Sequence, residues 1–262
     1  MCLTLPVLLM FVKILFLLKI INTKQKEHLS LRVGGFTCCW LLRIFRFTKL
    51  EATPPPSFSD DEPLVWVCNH VGMLDIFFML GTSKRIRGKH ARPIKVIYWK
   101  DLEKNPVTKC LFKMCGFIPV EMAANGAGEE NEYDKATFKK LLKDVKQCFK
   151  DGFDLGILPE GQLNPKPELG LSKTLYSGAF TLAKMSKRKI VFMGLYNTHA
   201  FWHANKEIGL TVSSDFVKIK NFGRPKLYKS SEEFLEAFKC VVGSFGLDGV
   251  GLSEDELDAV LN

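Results

Sequence analysis

His70 and Asp75 stand five positions apart in the segment Asn69-His70-Val71-Gly72-Met73-Leu74-Asp75. An imidazole and a carboxylate can do acid–base chemistry together. A carboxylate held against one ring nitrogen fixes the tautomer and orientation of the ring, and the other nitrogen is left free as a general base. On an unbroken helix the two could not meet, because five residues turn through roughly 500° and leave the side chains about 140° apart. The spacing therefore predicts a strand, a turn carrying His70, and a helix that takes Asp75 into its first turn, where the helix dipole suits a carboxylate. Five histidines and twelve aspartates in 262 residues give about 0.2 such pairs by chance. Taken alone, the spacing also fits a buried histidine that caps a helix.

Two further segments stand where a strand gives way to a turn. Leu158-Pro159-Glu160-Gly161-Gln162 exposes one carboxylate and uses Gly161 for a backbone shape that a side chain would forbid. By itself it is a turn. Gly116-Phe117-Ile118-Pro119-Val120-Glu121 reads, by itself, as a helix stop followed by a strand.

These turns need elements to hold them. Leu64–Cys68, Ile94–Trp99, Phe117–Val120, Leu155–Leu158 and Ile190–Leu195 read as strands. Between them Asp75–Leu80, a segment from Pro106 to near Gly116, the lysine-rich Tyr133–Phe149 and Leu175–Met185 read as helices. The tail adds two more, after Ser230 with Glu233 and after Ser253 with Glu256, both at capping-box spacing. Strands alternating with helices predict an α/β fold with a central sheet covered by helices, and in such sheets chemistry gathers beyond the carboxyl ends of strands.

The 262 residues are 47% hydrophobic and 25% charged with a net charge of +9, which excludes a disordered chain and points to an anionic partner. Residues 1–50 hold eight basic side chains against one acid, Glu27, so +7 of the +9 lies there. The same stretch is the most apolar. From Leu3 to Ile21 only Thr4, Pro6, Lys13 and Lys19 interrupt a run about 28 Å long as a helix, with Lys13 near its middle. A lysine at mid-membrane costs roughly 3 kcal/mol, so an interfacial hairpin fits better than a spanning helix. Its second helix is Val33–Phe47 and its polar turn Asn22–Ser30. No charge precedes Lys13 and the first alanine is Ala52, which argues against a cleaved signal peptide. The chain then divides into this membrane-associated hairpin (1–50), a proline-rich linker (51–63) and a folded domain (64–262). The eight cysteines are irregularly spaced and read as reduced thiols.

In this order, the three turn segments resemble the glycerolipid acyltransferase family that includes the 1-acyl-glycerol-3-phosphate acyltransferases. The family's H-x-x-x-x-D block is similar to His70–Asp75, its G-x-I-x-x-x-R block to Gly116–Met122, and its P-E-G block to Pro159–Gly161. A weaker fourth likeness is Ile190-Val191-Phe192-Met193-Gly194, and the family carries membrane-embedded helices before its first block. The resemblance implies transfer of a fatty acyl group from acyl-CoA or acyl carrier protein to a lysoglycerolipid hydroxyl, with 1-acyl-glycerol-3-phosphate as acceptor. It assigns His70 as general base and Asp75 as its orienter. Asn69, Gly116, Glu160 and Gly161 would bind substrate, and backbone amides near the turns would stabilise the oxyanion. It implies no cofactor, a phospholipid membrane as partner, and the cytosolic side of the endoplasmic reticulum or another intracellular membrane. Two arginines that the family assigns to the acceptor phosphate are Met122 and Leu163 here. Their loss bears on the head group more than on acyl transfer.

Lys84, Arg85, Arg87, Lys89, Arg92, Lys95 and Lys100 form a second basic cluster that reads either as a solvated face or as a contact for lipid head groups or carrier phosphates. Other chemistries fare worse. His199, His203 and Glu207 share one face if that region is helical, but no H-E-x-x-H accompanies them. No G-x-S-x-G serine is present, and Gly246–Gly251 follows no strand. Nucleic acid is not expected, because the positive surplus lies in the apolar front. A non-catalytic lipid-binding or scaffolding protein of the same fold is the alternative.

Overall fold

The structure, a computed structural model, describes residues 4–44, 49–54, 61–88, 91–121, 135–203 and 216–262. Met122, Lys89, Glu207 and residues 55–60 of the proline-rich linker lie outside the described residues. The chain divides into two compact units, Met1–Thr37 with Arg92–Gly156 and Cys38–Ala91 with Ile157–Asn262.

In the first unit, α1 (Thr4–Leu17) and the front of α2 (Thr23–Ile44) form two helices joined by a short turn. Asn22 and Gln25 cap α2 reciprocally, each side chain accepting the other's backbone N–H at 2.9 Å. The polar stretch Asn22–Ser30, expected as a turn, is therefore the start of a helix, because Asn22 supplies an acceptor for its orphan amides. Leu9 and Val12 of α1 pack with Leu29 and Val33 of α2 and with Leu111 and Met114 of α4 (Pro106–Cys115). The unit also holds three parallel strands in the order β5 (Asp154–Ile157), β3 (Ile94–Trp99), β4 (Ile118–Val120), and the amphipathic α5 (Lys135–Lys150). Leu141, Val145, Cys148 and Phe149 of α5 are buried, which is the helical period the lysines leave open.

The second unit carries a mixed sheet in the order β1 (Lys49–Thr53), β7 (Phe216–Asn221), β6 (Ile190–Tyr196), β2 (Val65–Cys68). β1–β7 and β6–β2 are parallel, whereas β6–β7 is antiparallel. Neither β1 nor β7 was expected. β1 corrects the front of the linker: residues 51–53 belong to a charged edge strand paired with Val217–Lys220. β7 alternates lysines with buried Val217 and Ile219, a period-two pattern that sequence reading missed. β6 is an unbroken apolar run and is buried from Ile190 to Leu195.

Helices α3 (Asp75–Ile86), α6 (Gly178–Ser186), α7 (Ser231–Phe238), α8 (Ser244–Asp248) and α9 (Glu254–Leu261) complete this unit. Phe234 and Phe238 of α7 close on Phe192 of β6, with ring centroids 6.0 and 5.6 Å away. Ser253 and Glu256 form the predicted capping box on α9, whereas Ser230 caps α7 through its side chain and Glu233 accepts the Lys229 N–H instead. A π-turn, Lys239–Gly243, links α7 to α8.

Candidate active site

β2 ends at Cys68 and α3 starts at Asp75, so His70 lies on the turn between them. This strand–turn–helix lets the two side chains meet: His70 Nδ1 is 2.9 Å from Asp75 Oδ2. Asp75 is wholly buried, while the His70 side chain keeps 26% of its surface open. The carboxylate folds back over the turn it follows. Oδ2 also accepts the N–H groups of Val71 (2.6 Å) and Gly72 (3.0 Å), and Oδ1 accepts the Thr198 hydroxyl (2.5 Å). A carboxylate oxygen accepts here, so the neutral ring carries its proton on Nδ1, and Nε2 is the nitrogen with the lone pair.

The backbone of His70 is held as firmly as its ring. Its N–H donates to Glu160 Oε1 (2.6 Å), and its carbonyl accepts the N–H of Asn164 (3.0 Å). Glu160 Oε2 accepts the Ser172 N–H (2.8 Å), and the residue is 1% exposed. The expected acceptor contact of Glu160 is thus corrected. Its carboxylate is enclosed and taken by two main-chain amides, because the turn after β5 folds inward onto the His70 turn. Asn69 is corrected in the same sense. Its carboxamide donates to the Leu195 carbonyl and accepts the Leu195 N–H, both at 2.8 Å, adding one rung between β2 and β6.

Gly161 has φ +68°, and a Cβ there would come within 2.8 Å of the Tyr176 ring. Its role is to let the turn bend under Tyr176 beside Glu160. Gly116 belongs to the first unit, where it ends α4 at φ +66° and a Cβ would run into the Glu27 carboxyl group. Leu163 is half-buried beside the Glu160 turn.

Of the turn amides expected to stabilise an oxyanion, those of His70 to Met73 are already engaged. The N–H groups of His70, Val71, Gly72 and Met73 all donate inward, the last to the Trp202 carbonyl at 3.1 Å.

In the second basic cluster Lys84 and Arg85 are exposed, while other members have partners within their own unit. Arg87 stacks on Trp66 at 4.7 Å in the second unit. In the first unit Lys95 is buried against Glu27 (2.7 Å), its ammonium 4.2 Å from the Phe153 ring centre, and Lys100 pairs with Glu121.

Thr198, Ser172 and Asn164 are the participants that sequence reading missed. Only Thr198 left a trace, a hydroxyl two residues beyond the end of the β6 strand. It opens a 3-10 turn, Thr198–Ala200, that brings His199 and His203 to a ring separation of 6.0 Å. Burial lowers the His199 imidazole below its usual value, and His203 adds to the effect. Behind the turn, burial pushes the Cys68 thiol well up, with the Asp75 and Glu160 carboxylates adding to it. A cavity of about 310 Å³ in this unit, lined by Phe180, Lys184, Arg188, Ile190 and Tyr228 among others, does not include His70.

The acyltransferase family model matches residues 44–195 of the chain. No curated protein matches it. Among solved structures, the crystal structure of the 1-acyl-sn-glycerophosphate (LPA) acyltransferase PlsC from Thermotoga maritima superimposes with a TM-score of 0.61 at 16% identity, covering 96% of this chain and 98% of that one. At that identity the likeness is one of fold.

Proposed function

The chain belongs to the acyltransferase family, and from that premise we propose that it moves a fatty acyl group from a thioester, acyl-CoA or acyl carrier protein, to the free hydroxyl of a lysoglycerolipid. The observation that carries the reading is the contact at 2.9 Å between a partly open imidazole and an enclosed carboxylate. In this reading His70 Nε2 takes the hydroxyl proton as the oxygen attacks the thioester carbonyl. Asp75 stabilises the imidazolium that forms and keeps the ring in place. The tetrahedral oxyanion collapses with loss of the thiolate, a ready leaving group since thiol pKa values lie near 8.5. One positioned base then suffices, typically contributing about 10²–10⁴-fold. The acceptor is a lysophosphatidate or a related lysophospholipid, with Leu163 in place of an arginine leaving the head group open.

Membrane contact falls to the front of the chain. Val7, Met10, Phe11, Ile14 and Leu17 of α1 are exposed although the opposite side of the helix is packed. No described helix is long and apolar enough to cross a membrane, so α1 lies in the interface in this reading.

The test incubates the purified protein in lipid with radiolabelled acyl donors and a panel of lysolipids. Labelled diacyl product is expected, and His70→Ala should abolish it while vesicle binding survives. Absence of product with every acceptor, or full turnover by His70→Ala, sinks the reading and leaves a lipid-binding scaffold.

A further inference from the structure

We infer that Thr198 is a positioning residue of the His70–Asp75 pair, fixing the carboxylate so that one oxygen always faces the imidazole; the inference rests on the acyl-transfer reading above. Asp75 Oδ2 takes the ring N–H and two backbone amides, whereas the donor to Oδ1 is the Thr198 hydroxyl at 2.5 Å. A carboxylate turns about a broad, roughly two-fold torsion. With Oδ1 bare in a wholly buried place, the group would rotate to share its donors and loosen the ring. The hydroxyl closes that option.

The fold delivers Thr198 with main-chain accuracy. β2 and β6 run parallel with Cys68 opposite Met193, so the turns beyond both strands leave the sheet at one rim. Asn197, at φ +62°, reverses the chain into the 3-10 turn. Gly72 lets the two turns touch: a Cβ there would lie 2.9 Å from the backbone of Thr198. Met73 N–H completes the join on the Trp202 carbonyl, at 3.1 Å. Thr198 is fully buried and touches no reacting atom, so its effect passes through Asp75.

Thr198→Val keeps the shape and removes the donor; Thr198→Ser keeps the donor. Thr198→Val should lower kcat by about tenfold or more with KM for donor and acceptor unchanged, because orientation of the base is lost and binding is not. Thr198→Ser should restore most of the rate. Independently of turnover, ¹⁵N spectra of histidine-labelled protein, assigned with His70→Gln, should show His70 protonated on Nδ1 in the wild type. In Thr198→Val the signal should shift towards the other tautomer, with thermal melts confirming a folded variant. Wild-type ¹⁵N shifts in Thr198→Val overturn the inference, as does a serine variant as impaired as the valine one. Should the wild-type protein transfer no acyl group, the acyl-transfer reading fails while the ¹⁵N shifts still decide the role of Thr198.

Discussion

Glu160 illustrates how a residue's type and its role come apart. A carboxylate after a strand reads as a group that meets substrate, yet both of its oxygens accept main-chain amides, from His70 and Ser172. Glutamine has the same shape but one acceptor oxygen, so Glu160→Gln turns a donor against a donor. An unsatisfied buried amide costs about 1–3 kcal/mol. Glu160→Gln should therefore reduce kcat at least about tenfold, as His70 shifts, with the acceptor KM unchanged. Steady-state kinetics decide the matter: a raised acceptor KM at normal kcat would return Glu160 to the substrate. The His70–Asp75 meeting was legible from residue types because a five-residue separation allows only a bent path. The partners of each oxygen were not, since Thr198 and Ser172 lie 123 and 12 positions from the groups they serve.

At the scale of elements, the turns are set by glycines whose surroundings differ. Gly161 (φ +68°) sits under Tyr176, whereas Gly152 (φ +80°) has open space where a Cβ would project. A left-handed residue with a side chain costs about 1–2 kcal/mol, so Gly152→Ala should destabilise by about that amount in urea. Gly161→Ala should lose more, because the Tyr176 ring must move as well, and should lower acyl transfer through its neighbour Glu160. Equal losses would show that the ring gives way freely. Strands β2 and β6 were legible because each is a short apolar run, and β3 because Lys95 alone interrupts one. β1 was not, because a polar edge strand is made by its partner: Lys49, Glu51 and Thr53 carry no pattern until β7 lies beside them.

For the whole molecule, α1 presents apolar side chains on two sides, one packed against α2 and α4 and the other exposed. If the exposed side enters lipid, each large side chain adds about 1.5–3 kcal/mol. Phe11→Ser with Leu17→Ser should then weaken vesicle binding at least about tenfold in a flotation assay, leaving turnover of a detergent-dispersed acceptor intact. Unchanged flotation would move the membrane contact elsewhere. Residue types and their spacing determined that the front of the chain is apolar and basic, that strands and helices alternate, and that an imidazole and a carboxylate could meet at a bend. Those are properties of type and spacing, which a linear chain carries in full. Which hydroxyl holds the far oxygen of Asp75, which carboxylate braces the His70 backbone, and where Lys95 hides its charge against Glu27 were decided only in three dimensions. The reason is physical: a buried polar group takes whichever partner the packed chain brings within about 3 Å, and that choice follows the path of the chain through space, not its order.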